Sequence, residues 1–359
     1  MTSALRNPKI VNYRNVVGLS KDCDAFEATY PILFISLDSS DNKGFTRGAV
    51  HIVKQLVPEF KNLENDQFAF QFFTEGITNK LVCITAIPTG FKVVLRTYGN
   101  YTEYLVDRRQ EAAIMNAYGQ KVYGGFLNGI VYAFTPGRTM DYVEFRKPEI
   151  TKKMAECVAN MHHLSPKLTK EPILFKEMRA WLHNLPTTYL DPEKQKKFTG
   201  IKYDDLLKEI EYTEKKLTAL NSPLVCGHND LYLKNFIIND EDQTIKLIDF
   251  EYASWNFQAF DLANHITEWC GVIMDFSKYP NRQEQDFFLR TYLETYNGKA
   301  PTDEEVDKLY DVVNQFQLAT NLLWAIWGFV DAALSTIEWD YMDYAWLRLN
   351  KYYELKKKL

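Results

Sequence analysis

The feature that most constrains this chain is a pair of short apolar runs that place three polar side chains at fixed spacing. The segment 228–238 reads His-Asn-Asp-Leu-Tyr-Leu-Lys-Asn-Phe-Ile-Ile, and after a polar turn the segment 245–250 reads Ile-Lys-Leu-Ile-Asp-Phe. Two short apolar strands joined by a polar turn predict a hairpin. The hairpin brings Asp249 back beside Asn235, and one loop presents Asp230 and Asn235 together.

These three side chains suit phosphoryl transfer. That reaction needs a carboxylate that orients or deprotonates the attacking hydroxyl, and it needs oxygen ligands for Mg²⁺ on the phosphates. We predict Asp230 as the catalytic base and Asn235 and Asp249 as the Mg²⁺ ligands. The order H-x-D-x4-N followed by I-D-F matches the catalytic set of protein kinases. Each residue alone is explained as a turn or cap residue, so the prediction depends on all three. His228 is expected to orient the loop without a role in proton transfer.

The sequence before this hairpin has the element order of a kinase-type amino-terminal lobe. Three strand-like runs from Phe68 to Tyr98 are followed by a helical run over 106–117 and two short strands up to Phe134. A chain of 359 residues is longer than the chains that usually fold around a single hydrophobic core. We therefore predict an α/β (α+β) fold with two lobes, a small β-rich amino-terminal lobe and a larger, mostly helical carboxy-terminal lobe. The predicted divisions are an amino-terminal extension at 1–45, a nucleotide-binding lobe at 46–135, and a catalytic and acceptor lobe at 136–359.

A charged residue in an apolar strand suggests a second part of the nucleotide site. Arg96 lies in the run Val-Val-Leu-Arg-Thr, and a charge buried there needs a partner. Glu111 on the following helix is the predicted partner, like the Lys–Glu pair of kinases. The turn at 76–79, Gly-Ile-Thr-Asn, can present backbone N–H groups to phosphate oxygens. Ordinary β-turns use the same residues, so the turn alone is a weak indication.

Charge and cysteine usage exclude several classes of protein. The net charge is −5 with both signs mixed along the chain, which argues against a nucleic-acid partner. The five cysteines lie far apart without metal-ligand spacing, so we expect reduced thiols. The most apolar stretch, 322–334, contains Asp331 and is shorter than the ~20 residues that a membrane span needs. We expect a cytoplasmic protein without integral membrane contact.

Several motifs make the chain resemble the choline/ethanolamine kinase family, and ethanolamine kinases most closely. The matching motifs are spread over about residues 45 to 353. They are Phe-Thr-Glu-Gly-Ile-Thr-Asn-Lys-Leu at 73–81, Arg-Thr-Tyr-Gly-Asn at 96–100, Ile-Asp-Phe-Glu-Tyr at 248–252, the segment 260–268, and Ser-Thr-Ile-Glu at 335–338, among others. The resemblance implies a kinase-like fold that uses ATP and Mg²⁺ to phosphorylate ethanolamine to phosphoethanolamine, the first step of the CDP-ethanolamine route to phosphatidylethanolamine. A homodimer is one assembly that the resemblance allows.

The resemblance also implies roles for particular residues. Asp230 matches the family's catalytic base, and Asn235 and Asp249 match its Mg²⁺ ligands. The segment 133–135 resembles the hinge whose backbone meets adenine. The expected ATP-binding residues are Gly76, Ile77, Thr78, Asn79, Arg96, Glu111, Ala133, Phe134 and Thr135. Side chains expected to support the site are His228, Glu251, Asp261 and Asn264.

The acceptor pocket is expected between two helices. Asp261, Asn264, His265 and Glu268 follow at helical spacing and form a polar stripe on an otherwise apolar helix, which suggests a site. Trp324 and Trp327 share one helical face farther along the chain. By default two tryptophans at this spacing are core residues. The resemblance instead implies that Glu268, Trp324, Trp327 and Tyr344, together with Asp230, surround an amino alcohol, since aromatic faces and a carboxylate bind an organic cation.

The identity of the acceptor is less constrained than the reaction. A primary ammonium offers three N–H donors and a quaternary ammonium offers none. Both tryptophans are present, so the aromatic cage does not distinguish ethanolamine from choline. Choline kinase, or a kinase of both alcohols, is the first alternative. An inactive kinase-fold scaffold is a remote alternative, disfavoured by the complete Asp230, Asn235 and Asp249 set, and the aromatic pocket disfavours an antibiotic phosphotransferase.

Overall fold

A computed structural model of the chain gives its fold. It describes the residues in the ranges 30–37, 42–73, 79–99, 106–198, 200–335 and 339–358.

The amino-terminal half is built on a six-stranded sheet. Its strands follow the spatial order β1, β5, β6, β4, β3, β2, in which β1 pairs parallel with β5 and the other neighbours pair antiparallel. The strand bounds are β1 Ile32–Leu33, β2 Phe68–Phe73, β3 Lys80–Ala86, β4 Lys92–Thr97, β5 Val122–Phe126 and β6 Gly129–Ala133. The predicted order of three strands, a helix and two strands is therefore present, and β1 is an additional edge strand.

Helix α1, Asn42–Leu56, covers one face of this sheet. Phe45, Ile52 and Val53 on the helix are fully buried together with Val82 and Leu95 of the sheet. Central strands that are buried on both faces have nearly continuous apolar sequences, and β3 and β4 follow this pattern. This core fixes the position of β4, the strand that bears Arg96.

Helix α2, Arg108–Tyr118, joins the sheet to the rest of the molecule. Asp107 caps its amino terminus by accepting from the backbone N–H groups of Arg109 and Gln110, and Gly119 ends it in the left-handed conformation, at φ 85°. Ile114 on α2 belongs to the larger carboxy-terminal core.

The carboxy-terminal half is mostly helical. A short strand β7, Arg138–Thr139, precedes helices that bury one large apolar core. The helix bounds are α3 Pro148–His162, α4 Leu174–His183, α5 Pro192–Phe198, α6 Tyr203–Thr218, α7 Gln258–Glu268, α8 Arg282–Asn297, α9 Asp303–Leu334 and α10 Tyr341–Lys356. Helix α9 lies at the centre, since its residues from Phe316 to Ala332 are buried.

Four short strands interrupt the helical half. Their bounds are β8 Leu224–Gly227, β9 Phe236–Ile238, β10 Ile245–Leu247 and β11 Ser254–Phe257. The predicted hairpin is β9 paired antiparallel with β10, with Phe236 opposite Leu247, and β7 adds a third strand beside β9. Strand β11 pairs antiparallel with β8.

The described residues therefore contain two apolar cores, one under the sheet and one among the helices. The boundary at residue 135 stays a proposal, and it does not coincide with a break between the cores, because Ile114 and Ile130 pack in the larger one. Residues 30–37 pair with β5 and contribute Leu37 to the smaller core.

Candidate active site

The loop after β8 is held by one buried carboxylate. Asp261 on α7 accepts from the backbone N–H of His228 at 2.8 Å and from that of Asn229 at 2.7 Å. His162 on α3 also bonds to Asp261, at 2.8 Å between Nε2 and Oδ2. A carboxylate that accepts several hydrogen bonds is stabilised in its charged form. Burial opposes this, but the bonds from His162 and His228 leave the pKa of Asp261 lowered.

Asn229 takes a backbone conformation that few residues tolerate. Its φ is +65°, and asparagine is among the residues that accept this region most easily. Its side chain donates to the backbone carbonyl of Tyr252 and accepts from Asn256, both at 2.9 Å. These bonds fix the direction of the following residue, Asp230.

Asp230 and Asn235 lie in contact, as the five-residue spacing predicts. The Asn235 side-chain amide donates to Oδ2 of Asp230 and to its backbone carbonyl, both at 2.9 Å. Both amide hydrogens of Asn235 are used in this way, so its Oδ1 remains as an acceptor. Asp230 is half-buried.

Asp249 follows β10 and meets the sheet through Arg96. Its Oδ1 accepts from Arg96 Nη1 at 2.9 Å, and its φ is +63°. The other terminal nitrogen of Arg96 pairs with Glu111 on α2. The ion pair between Arg96 and Glu111 that the sequence predicts is therefore present, and Arg96 is 1% exposed. The contact of Arg96 with Asp249, across 153 residues of chain, was not anticipated.

A second arginine, Arg108, extends this network. It donates to Glu111 at 3.1 Å and to Glu251 at 3.0 Å. Glu251 also accepts from Asn79 at 3.2 Å. The predicted supporting residue Glu251 therefore connects the hairpin with the end of the 76–79 turn. Sequence reasoning missed Arg108, although it lies three residues before Glu111, which is the spacing of an ion pair on one helix.

The protonation of the two aspartates follows from their surroundings. Burial, and then the charges of Glu268, Asp249 and Glu251, raise the pKa of Asp230. Burial and the charge of Glu251 raise the pKa of Asp249, while Arg96 opposes the shift. The Asp249 side chain is 37% exposed, so solvent and ions can reach it. Like charges that crowd one cleft disfavour ionisation until cations arrive.

The donor set fits a magnesium ion. Asn235 and Asp249 flank the paired strands β9 and β10, where the Ile248 N–H donates to the Asn235 carbonyl at 3.0 Å. Their side chains carry hard oxygen donors, and Mg²⁺ is usually held by one or two protein oxygens together with phosphates and waters. Burial raises the pKa of both aspartates, and neighbouring carboxylates raise it further; a bound dication would oppose both effects. Within the described ranges no three His, Cys, Asp or Glu side chains cluster as a metal cage.

The predicted hinge lies at the end of β6. The backbone N–H of Ala133 donates to the backbone carbonyl of Lys121 at 2.8 Å. The backbone carbonyl of Ala133 accepts from the Gln120 side-chain amide at 3.3 Å. Phe134 and Thr135, the other two residues of the predicted hinge, are half-buried. Thr135 accepts from the same Gln120 amide at 3.5 Å.

Four aromatic rings form a wall beside the catalytic loop. Trp324 and Trp327 are 5.5 Å apart, and Trp327 is 6.0 Å from Tyr344. Tyr252 stands 5.6 Å from Trp324, and its hydroxyl accepts from Trp327 Nε1 at 3.1 Å. The predicted residues are thus brought together, with Tyr252 as an added member. The two tryptophans are only 5% and 6% exposed, so they also serve as core residues.

Glu268 forms an ion pair with a buried arginine near the aromatic wall. It pairs with Arg348 on α10, which also donates to the Tyr344 hydroxyl at 3.0 Å and is fully buried. The charge of Glu268 is therefore balanced within the protein. Sequence reasoning missed Arg348, although its position four residues after Tyr344 placed both on one helical face.

The polar stripe on α7 serves mainly to hold the catalytic loop. Asp261 binds the backbone of His228 and Asn229, and His265 bonds to the carbonyl of Leu231 at 3.0 Å. Asn264 accepts from Trp324 Nε1 at 2.7 Å. Asn264 thus contacts the aromatic wall directly through Trp324, and Glu268, at the end of the helix, is linked to it through Arg348 and Tyr344.

Three residues of the phosphate-binding prediction, Gly76, Ile77 and Thr78, lie outside the described residues. The Thr336 to Glu338 part of the carboxy-terminal motif is outside them as well.

None of the helices in the described ranges has an apolar stretch that is long enough to cross a bilayer.

Fold and site together define a class of protein. A sheet-based amino-terminal half, a helical carboxy-terminal half and a loop–hairpin that presents Asp230, Asn235 and Asp249 are the parts of a two-lobe phosphotransferase related to protein kinases. The match to a family model narrows this class. The model described as choline/ethanolamine kinase matches residues 70–353, and the chain belongs to this family.

Relatives and solved structures agree with this assignment. The chain is 35% identical over 320 residues to a probable ethanolamine kinase A of Dictyostelium discoideum, covering 86% of this chain and 92% of that protein. It is 35% identical to ethanolamine kinase 1 of Mus musculus, covering 92% and 94%. An ethanolamine kinase of Plasmodium vivax has a similar fold, with a TM-score of 0.78 at 23% identity over 89% and 91% of the two chains. A choline kinase of Cryptosporidium parvum has a TM-score of 0.71 at 21% identity over 88% and 96%.

Proposed function

We propose that this chain transfers the terminal phosphoryl group of ATP to the hydroxyl of ethanolamine, giving ADP and phosphoethanolamine. The observation that supports this most directly is the contact of Asp230 with Asn235, at the start of the hairpin that leads to Asp249. Relatives that are 35% identical over most of their length are named ethanolamine kinases.

In the proposed reaction the ethanolamine hydroxyl binds to the carboxylate of Asp230. The oxygen attacks the terminal phosphorus, the bond from phosphorus to the bridging oxygen breaks, and the hydroxyl proton moves to Asp230. The Asn235 amide holds the Asp230 carboxylate in one orientation. The raised pKa of Asp230 favours acceptance of this proton, since proton transfer is most efficient when the pKa of the base approaches the working pH.

Asn235 and Asp249 are the proposed holders of Mg²⁺. Bound there, the ion would neutralise charge on the phosphate oxygens. Arg96 keeps the Asp249 carboxylate in place from the sheet, and Glu111 fixes Arg96.

The nucleotide is proposed to lie between the sheet and the hairpin. Phe134 and Thr135 would meet the adenine, and the 76–79 turn would meet the phosphates. Because both terminal nitrogens of Arg96 bind carboxylates, we propose that Arg96 acts on the nucleotide by positioning Asp249.

The aromatic wall supports a cationic acceptor. Rings of Trp324, Trp327 and Tyr344 offer electron-rich faces to an ammonium group. The same rings would suit choline, which remains the second candidate substrate. The names of the similar proteins favour ethanolamine.

A reducing, cytoplasmic setting is part of the proposal. The cysteines among the described residues, Cys83, Cys157, Cys226 and Cys270, are all unpaired, as is usual where thiols stay reduced.

The test is a coupled assay of ADP release with MgATP and a series of alcohols: ethanolamine, its N-methylated forms and choline. We expect kcat/KM to be highest for ethanolamine. Asp230→Asn is expected to lower kcat at least 10²-fold, as for removal of a general base, while the protein stays folded. Near wild-type turnover by Asp230→Asn would contradict the assigned chemistry, and a higher kcat/KM for choline would reverse the substrate assignment.

A further inference from the structure

One carboxylate beside the aromatic wall has no hydrogen-bond or ion-pair partner in the part of the chain that the structure describes. Asp331, in the last turns of α9, is 5% exposed, and its Oδ2 forms no hydrogen bond. Within the described residues no cation pairs with it; burial, and then the negative charge of Glu251, raise its pKa to about 7. A buried carboxylate that is neither paired nor hydrogen-bonded is costly, so one in a native site calls for an explanation.

The position of Asp331 places it on the acceptor side of the molecule. It follows Trp327 by four residues and Trp324 by seven on α9, so the three side chains share one face of that helix. Trp327 in turn donates to the Tyr252 hydroxyl. Asp331 therefore continues the face that forms the aromatic wall.

The Tyr252 hydroxyl is near both Asp331 and Asp230, the proposed catalytic base. Burial raises the pKa of Tyr252, and the charges of Glu251, Asp331 and Asp230 raise it further. Both aspartates are therefore near enough to the Tyr252 hydroxyl to influence its ionisation. Ethanolamine has only two carbon atoms between its hydroxyl and its ammonium group, so its two ends need acceptors close to one another.

The other carboxylates of this region already have cations. Glu268 pairs with Arg348, Glu251 with Arg108, and Asp249 with Arg96. Asp230 and Asp331 lack such a pair among the described residues. Asp230 is assigned to the hydroxyl of the acceptor, which leaves Asp331 for its positive end.

The geometry points to Asp331 as the side chain that accepts hydrogen bonds from the ammonium group of the acceptor. It would select a primary ammonium, which has three N–H donors, over a quaternary one, which has none. This inference rests on the proposed function and adds a specificity-determining residue to it.

The test compares Asp331→Asn with the wild-type chain at saturating MgATP. The substrates are ethanolamine, N-methylethanolamine, N,N-dimethylethanolamine and choline. Loss of a charge-assisted hydrogen bond predicts a fall in kcat/KM for ethanolamine of about 10- to 100-fold, mainly through KM. We expect the loss to shrink with each added methyl group and to be less than about threefold for choline, whose ammonium makes no hydrogen bond. If choline is not turned over, its inhibition constant against ethanolamine replaces kcat/KM.

Asp311→Asn on the exposed side of the same helix is the matched control and should leave all four values unchanged. Asp331→Glu, which keeps the charge, should retain more of the preference for ethanolamine than Asp331→Asn. Thermal unfolding checks that each variant folds, and Asp331→Gln supplies a second neutral side chain if the Asn variant does not.

The two levels of the proposal fail differently. A wild-type chain that releases no ADP with any of the four alcohols contradicts the proposed function. An active wild type, with variants that lose ethanolamine and choline equally or lose neither, contradicts only the role of Asp331.

Discussion

Asp331 shows how much one residue depends on its surroundings. It stands in a stretch of α9 that is otherwise almost entirely apolar, and burial makes its charged form unfavourable. In the unfolded chain its pKa is the ordinary value of 3.8, whereas in the folded chain it is about 7. The folded state therefore binds more protons than the unfolded state between these two values.

This difference predicts how stability depends on pH. Because the unfolded state binds fewer protons, the free energy of unfolding falls as pH rises from about 4 to about 7. Asp331→Asn removes that loss, so we expect the variant to be more stable than the wild type at pH 8. One pKa unit corresponds to about 1.4 kcal/mol, which gives a gain of roughly 1–4 kcal/mol at pH 8.

Urea unfolding at pH 4 and pH 8, without substrate or nucleotide, measures the effect. The two proteins should be nearly equal at pH 4. A variant that is equally or less stable at pH 8 would show that Asp331 is well solvated or paired in solution.

At the scale of elements, the contact between β4 and α2 holds the site together. Glu111 on α2 pairs with Arg96 on β4 and with Arg108 on its own helix, and it is 1% exposed. Arg96 then reaches Asp249 at the end of the catalytic hairpin. One buried carboxylate thus links a strand, a helix and the hairpin.

Glu111→Gln should therefore destabilise the protein strongly. The substitution takes one carboxylate away from both Arg96 and Arg108, and removing one member of a buried ion pair costs about 3–5 kcal/mol. The free energy of unfolding in urea measures the loss, and Glu211→Gln, at an exposed site on α6, is the matched control with an effect within about 0.5 kcal/mol. If both substitutions cost the same small amount, the buried network does not stabilise the fold.

At the scale of the whole molecule, the candidate active site draws its residues from elements of both apolar cores, the one under the sheet and the one among the helices. Strand β4 provides Arg96, and the residue before β3 provides Asn79. The loop after β8 provides Asp230, the end of the hairpin provides Asp249, and α9 and α10 provide three of the four rings of the aromatic wall. A ligand that contacts all of these parts binds the folded chain and not the unfolded one. Such binding raises stability by mass action.

MgATP at 100 times its dissociation constant should raise the free energy of unfolding by about 2.7 kcal/mol. With EDTA in place of Mg²⁺ the same ATP concentration should give a smaller increase, because no dication then offsets the repulsion between the phosphates and the carboxylates of Asp249 and Asp230. Thermal unfolding measures both increases without reference to activity. Asp249→Ala should remove the Mg²⁺-dependent part, and equal increases with and without Mg²⁺ would contradict the assigned ligand set.

Much of the site could be predicted because its parts are close in sequence. The five-residue spacing of Asp230 and Asn235 and the short polar turn before Asp249 leave few arrangements for a hairpin. The burial and pairing of Arg96 also followed from sequence, since a charge between Val and Leu on a central strand needs a partner and the next helix offered Glu111. The same local patterns predicted the order of the sheet strands and of α2.

The sequence by itself thus determined the fold class, the β9–β10 hairpin and the ion pair of β4 with α2, because periodicity and short spacing act locally. Only the tertiary structure decided that Arg348 neutralises Glu268, that Asp261 holds the backbone of His228 and Asn229, and that Asp331 has no cation beside it among the described residues. Those outcomes join residues 33 and 80 positions apart, or depend on which cations fail to reach a buried carboxylate. No local pattern specifies such contacts, since they follow from how separate elements pack around one cleft.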